Sequence, residues 1–460
     1  MQLLTTRHSR AATVRTPGAG ARQRPPAPFA AVLSLALVLA PALAGCSSAG
    51  SSSSDAKHPG GTVVRVPQDF PTIQQAVDVA HEGDTVLVDA GTYRESVRMT
   101  KPDIVLRGTD RNTVVLDGGL RLVNGIAASG PGSAVENLTV HGYLANGVLF
   151  TGVTDEKLQQ HGAGGSAYNP LDTTRFPALQ GFRASGVTAY NNGLYGIYAF
   201  DAQAGVIEDS YASGGADSGI YVGQCKPCDT LVRNNTVERN AVGIEITNAS
   251  DGLTVVGNRV TGNRVGVTVN SNDLEALAPQ HGAVIVGNVV TDNNATDTPQ
   301  QADGGYGIGI GIGGGTGNQV RRNLVQGNHA AGIVITDPPG HPASGNRVEG
   351  NRTTGNGTDL VLASADPANC FTGNQPAVQS PDDLENLASC AVQGRAAPPF
   401  GRATPVQSPP GIPFSKVPAP PAQPSTLDLN APGRPATGLP GPVDAGAYPL
   451  PESADALPKH

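Results

Sequence analysis

Apolar residues in the middle of this chain come in pairs with one position between them, and each pair follows a glycine. Ile197 and Ala199 follow Gly196, Ile220 and Val222 follow Gly219, and Ile244 and Ile246 follow Gly243. Val267 and Val269 follow Gly266, and Ile333 and Ile335 follow Gly332. A two-residue period sends alternate side chains to opposite faces of a strand, so these pairs point inward and their neighbours to solvent. The leading glycines Gly196, Gly219, Gly243, Gly266, Gly309 and Gly332 are spaced 23, 24, 23, 43 and 23 residues apart. A second marker, NxVxxN, starts at Asn235, Asn258, Asn288, Asn323 and Asn346, at intervals of 23, 30, 35 and 23.

A repeat of this length, made of short Val/Ile segments and Gly/Asn turns, predicts a solenoid of stacked coils, each with up to three strands. The fold class expected is all-β: a single-stranded right-handed parallel β-helix with three sides. Coils stack roughly 4.8 Å apart, and each inward aliphatic is worth roughly 1.5–3 kcal/mol on burial. Recurrent Asn at coil corners tolerates left-handed backbone and bonds to its neighbours above and below, which predicts a structural ladder. The segment "PTIQQAVDVAHEG" places Ile73, Ala76, Val77 and Ala80 on one helical face, with Thr72 and Gln75 as a capping box and Gly83 as its stop. It predicts a helix that seals the first coil.

The segment from Phe70 to Val97, "FPTIQQAVDVAHEGDTVLVDAGTYRESV", resembles the opening of the pectin-lyase-like right-handed β-helices, including a GxYxE box at Gly91, Tyr93 and Glu95. The segments "GIYVGQ" and "VGIEITN" are similar to repeats of bacterial surface β-helix proteins. The resemblance spans about Thr62 to Ser364 and implies the fold rather than a particular chemistry. The family's catalytic signatures are missing: the chain has no WxDH, no NTD followed by GHG, no DPHE, and no QDTL or DFIFG.

Composition adds an address. Residues 1–45 carry five Arg and no acid, then an apolar run ending in Leu43-Ala44-Gly45-Cys46, which reads as an export signal with a bacterial lipobox. Cys46 becomes the lipidated first residue and residues 46–61 a flexible Ser/Gly tether. The protein is therefore expected outside the cytoplasm, anchored by lipid to the outer face of a bacterial cell membrane. Residues 62–395 form the β-helix domain. Residues 396–460 hold 17 of the 38 prolines and form an extended tail that docks along the solenoid or reaches through the envelope. Loss of the leader takes the formal net charge from −8 to −13, which argues against nucleic acid as a partner. A monomer is expected.

Chemistry is sought on the outward side of the Gly-Ile segments and in the long loops. Oversized loops start at Thr151, Asn270 and Thr291, and loops leaving one corner would wall a groove. Two places after successive glycines stand Tyr198, Tyr221, Glu245 and Thr268, and two places before stand Asp217 and Arg264. The column offers an aromatic platform with charged neighbours. It is read as a groove for polysaccharide or another cell-envelope component, with Asp201, Gln224, Asn248 and Asn270 near the segment ends.

If the protein is instead a carbohydrate-active enzyme, Asp217 and Glu245 are the paired carboxylates for hydrolysis. For a lyase or epimerase, Tyr221 or His281 would move the proton and Arg264 would neutralise a substrate carboxylate. No cofactor is required by the sequence. Asn270, Asn272, Asp273 and Glu275, or the run Asp292–Asp297, offer oxygen ligands for Ca²⁺ without EF-hand spacing. With Cys46 assigned to lipid, four cysteines remain in an exported chain. Proximity pairs Cys225 with Cys228 and Cys370 with Cys390. The CxxC lies between strand segments rather than at a helix N-terminus, which favours a staple over a redox or zinc site.

Overall fold

Three strands per coil, all parallel, build three sheets in the computed structural model, which describes residues 61–160, 171–302, 304–425, 428, 430–436 and 443–457. The leader, Cys46 and the tether lie outside the described residues. Sheet 1 has twelve strands, from Val63–Val66 to Cys370–Thr372; sheet 2 has eleven, from Gly91–Tyr93 to Gln375–Pro376; sheet 3 has eleven, from Val97–Met99 to Gln379–Ser380. The chain is a right-handed parallel β-helix, as its period predicts. The 43-residue interval is a single coil with two insertions, because Val265–Asn270 pairs directly with Ile308–Gly313.

The inward pairs are fully buried, from Ile197 and Ala199 to Ile333 and Ile335, and they form one continuous core along the axis. The glycine ahead of each pair has a steric cause. A Cβ on Gly243 would lie 2.7 Å from the Gly266 carbonyl oxygen and 2.9 Å from Asn263 Nδ2, and Gly266 faces the Gly309 oxygen in the same way at 2.4 Å. Coil-to-coil contact at this corner leaves no room for a side chain.

The asparagines do form ladders, one at each corner. Asn235, Asn258, Asn288, Asn323, Asn351 and Asn374 each bond the next through Nδ2 and Oδ1, and the series ends on Glu385. Asn240, Asn263, Asn293, Asn328 and Asn356 form the second, which ends on Asp359. Gln280, Asn318, Asn346 and Asn369 form the third. The NxVxxN motif at Asn346 therefore starts one corner early. It brackets the sheet 1 strand Arg347–Glu349, whereas the motif at Asn323 brackets the sheet 2 strand Leu324–Gln326. A shared period is thus broken there, because Asn is suited to all three corners.

The capping helix α1 spans Ile73–Val79, with the Thr72 side chain accepting from the Gln75 N–H at 3.2 Å. It ends at Ala80, short of Gly83, and the Lys101 ammonium takes the carbonyls of Asp78 and Ala80. Glu95 of the GxYxE box accepts the N–H groups of Ile73 and Gln74, both at 3.1 Å. Tyr93 donates to the Asp89 carbonyl at 2.8 Å. The box thus fastens the cap to the first coil, a structural task.

The proline-rich tail docks on the solenoid. From Gly401, bonded to the Leu362 carbonyl, it runs back past Thr298, Asn191 and Asn112, where Gln423 N donates to Asn112 Oδ1 at 2.7 Å. It then crosses to sheet 1, where Arg107 and Arg183 share the buried Glu136 and donate to the carbonyls of Ala431 and Arg434. Residues 443–448 return along that sheet over Val206, Leu231, Val256 and Val286.

Candidate functional site

Parallel pairing in register sets outward side chains of successive coils side by side. Tyr198 pairs with Tyr221, Tyr221 with Glu245, and Glu245 with Thr268 on the outer face of sheet 3. Upstream the same column continues through Leu149 and Ala127 to Arg98. The rings of Tyr195 and Tyr198 stack at 4.1 Å, Tyr221 meets Tyr198 edge-on at 4.9 Å, and Phe200 lies 5.5 Å from Tyr198. The four rings form one cluster in which Tyr195 and Tyr221, the latter expected on an open platform, are buried and only Tyr198 and Phe200 stay partly exposed.

Asp217 stands at the corner leading into this sheet, where Tyr195 donates to its Oδ2 at 2.8 Å. The Gln301 amide donates to Asp217 Oδ1 and, at 3.4 Å, to Glu245 Oε2. One nitrogen thus links the two carboxyl groups proposed from sequence. Thr247 reaches the other Glu245 oxygen at 3.5 Å.

The third acid, Glu275, comes from the loop after Val265–Asn270 and accepts the Tyr221 hydroxyl. Burial pushes its carboxyl up to about 8, against the Tyr221 hydrogen bond, which favours the charged form, and with added repulsion from Asp217. Its Oε2 has no partner among the described residues, nor has the Oγ1 of Thr268, the register partner of Glu245. Buried polar atoms are normally satisfied, so a water or a ligand hydroxyl is the expected partner of each. Burial, and then the Glu275 charge, holds the Tyr221 hydroxyl well above its ordinary range.

Two loops close this face, and they come from opposite ends of the strands rather than from one corner. Residues 271–283 follow the strand Val265–Asn270, while residues 292–307 precede Ile308–Gly313. Gln224 and Asn248 serve the first loop: Gln224 Oε1 accepts Ala276 N at 2.9 Å, and Asn248 Nδ2 donates to the carbonyls of Asn272 and Glu275. Both have left-handed backbone and are buried at the strand ends. The place expected to meet substrate is occupied by protein.

The tail pins the second loop. Ile412 N donates to the Thr298 carbonyl at 2.9 Å and Gly411 N to Gln300 Oε1 at 3.3 Å. Arg264, at the same corner register as Asp217, is fully buried. Its guanidinium lies over the Tyr306 ring at 5.2 Å, and Nη2 donates to Ser408 Oγ at 2.8 Å and to the Pro409 carbonyl. The cation expected to neutralise a substrate carboxylate is turned to the tail.

The remaining candidates are dispersed. His281 pairs with Asp251 at 3.2 Å on the corner into sheet 1. Asn270 bridges to Gly314 at the edge of sheet 3. Of the calcium candidates, Asn272 Oδ1 accepts Leu274 N, Asp273 pairs with His341 at 3.0 Å, and Glu275 faces Tyr221, so their oxygens serve three different partners. No group of three acidic, His or Cys side chains suited to a metal occurs among the described residues. Cys225 is bonded to Cys228 and Cys370 to Cys390, the pairing expected from proximity. The first disulfide pins the corner directly after Gln224.

Sequence reasoning missed Tyr195 and Gln301. Alternation assigns Tyr195 to the side of Ile197, yet its ring stacks on outward Tyr198 where the chain turns the corner. Gln301 lies in a loop without periodicity, and only its place in an insertion pointed to it.

Residues 124–278, which include all of this sheet's acidic and aromatic groups, match the family model described as "right handed beta helix region". Among solved structures the chain is similar to the A-module of the Azotobacter vinelandii mannuronan C-5 epimerase AlgE4. Identity is 15%, over 70% of this chain and 91% of that one, with a TM-score of 0.42. The A-module of AlgE6 from the same organism is 17% identical over 68% and 95%, with a TM-score of 0.45. The tailspike protein 2 of bacteriophage CBA120 is 14% identical over 68% and 47%, with a TM-score of 0.47. A comparison with curated proteins found no match.

Proposed function

We propose that the outer face of sheet 3 takes up a polysaccharide and acts on it, in a chain exported and anchored through Cys46 to the outer face of a bacterial membrane. The observation that carries this reading is the linkage of Asp217 and Glu245 through one amide nitrogen, beside the partly exposed rings of Tyr198 and Phe200. Carboxyl groups held in different environments are the usual means of dividing acid from base work. Of Asp217 and Glu245, one in its protonated form would give a proton to the leaving glycosidic oxygen, while the other attacks the anomeric carbon or takes the proton of an attacking water. Tyr198 and Phe200, the partly exposed rings, would stack on the sugar faces. For entry of the chain, Gln301 must lift from the two carboxyl groups.

The secreted protein, incubated with a panel of polysaccharides, should release new reducing ends, and Asp217→Asn or Glu245→Gln should abolish release. Unchanged turnover in both variants would refute the assignment. The capped state of Asp217 and Glu245 favours one second reading, polysaccharide binding without turnover. Retention of a glycan with no new ends would support it.

A further inference from the structure

We propose, resting on the glycan reading above, that the ligand of this face is an uncharged polysaccharide and not a polyuronate. The acids Asp217 and Glu245 converge on it through Gln301. The cation nearest in register, Arg264, is buried under Tyr306 and bonded through Nη2 to Ser408 and Pro409, while its Nε and Nη1 have no partner among the described residues. Arg98 shares the outward column three strands upstream of Tyr198 and is bonded to Glu156 at 2.8 Å. Lys226 is exposed on the corner turn beyond the strand, beside the disulfide.

A polymer with a carboxylate on every unit would bring like charge against acids in a half-buried face, where screening is weak. A neutral sugar suits the same groups. Its hydroxyls donate to carboxyl oxygens and bond the orphaned Thr268 Oγ1, and its C–H faces stack on Tyr198. The tail thereby contributes to selectivity, because it withdraws the one arginine that shares the corner register of Asp217.

The test is affinity electrophoresis of the full secreted chain through gels containing xylan, galactan or β-glucan, and through gels containing polygalacturonate or alginate. Each gel is run with and without Ca²⁺, at low salt. At least one neutral polymer should retard the protein about tenfold more strongly than either polyuronate. The double variant D217N/E245Q should narrow that gap by improving polyuronate binding. Stronger retardation by a polyuronate, with or without Ca²⁺, would overturn the inference and leave the glycan reading standing. A gap that D217N/E245Q leaves unchanged would refute charge as its cause. No retardation by any polymer would refute the glycan reading itself.

Discussion

The Tyr221 hydroxyl bonds the Glu275 carboxyl across two coils, so a loop of the later coil is fastened to a strand of the earlier one. The bond closes the exit side of sheet 3 over its aromatic cluster, and it holds a buried acid near enough to Asp217 to feel its charge.

Replacement of Tyr221 by Phe should leave Glu275 buried without that donor and destabilise the protein by about 1–3 kcal/mol. The loss should concentrate in residues 271–283, seen as faster amide hydrogen exchange there with little change in the core. Exchange that accelerates uniformly along the solenoid would contradict a local latch.

Glu275 also predicts a pH dependence. Its carboxyl is raised from 4.5 to about 8, so the native state binds this proton more tightly than the unfolded chain does. The Glu275 contribution to stability is therefore fully present below 4.5, declines as pH rises towards 8, and is constant above it. Thermal unfolding across pH 5–9 should show this decline, and Glu275→Gln should flatten it. Equal slopes in the two proteins would contradict the assignment.

Removal of residues 396–460 should uncover Arg264 and release residues 292–307, which the tail holds at Thr298 and Gln300. Amide exchange in that loop should rise several-fold while the Asn ladders stay protected. Unchanged exchange would mean that the Gln301 contact alone holds the loop.

Gly243→Ala tests the packing cause of the repeat. The added Cβ meets Val260 Cγ1 at 2.5 Å and the Gly266 carbonyl at 2.7 Å, which should destabilise by about 1–3 kcal/mol. Gly262→Ala, at a position open around its Cβ, meets no such contact and pays only for left-handed backbone. A smaller effect at Gly243 than at Gly262 would contradict the account.

The solenoid was legible because its physics repeats. Inward pairs such as Ile244 and Ile246, the close-contact glycines and the corner asparagines each recur once per coil, and period two sorted Tyr198, Tyr221 and Glu245 onto one face. The site was only half legible because loops do not repeat. Glu275 reads as an oxygen ligand until burial and Tyr221 fix its role, and Gln301 carries no local signal at all. Gln224, Asn248 and Arg264 lie near the face predicted from register, but whether a side chain meets solvent or an overlying loop depends on segments up to 145 positions away. Asn346 shows the limit of motif spacing, since the same six residues bracket a strand of sheet 1 there and of sheet 2 elsewhere.

The most direct test of the central claim is a hydrogen-exchange footprint of the full chain with a bound polysaccharide. The account predicts new protection on Tyr195–Phe200, Ser218–Cys225 and Val242–Ala249, with altered exchange in residues 292–307. Protection confined to the outer faces of sheets 1 or 2, with sheet 3 unchanged, would contradict it.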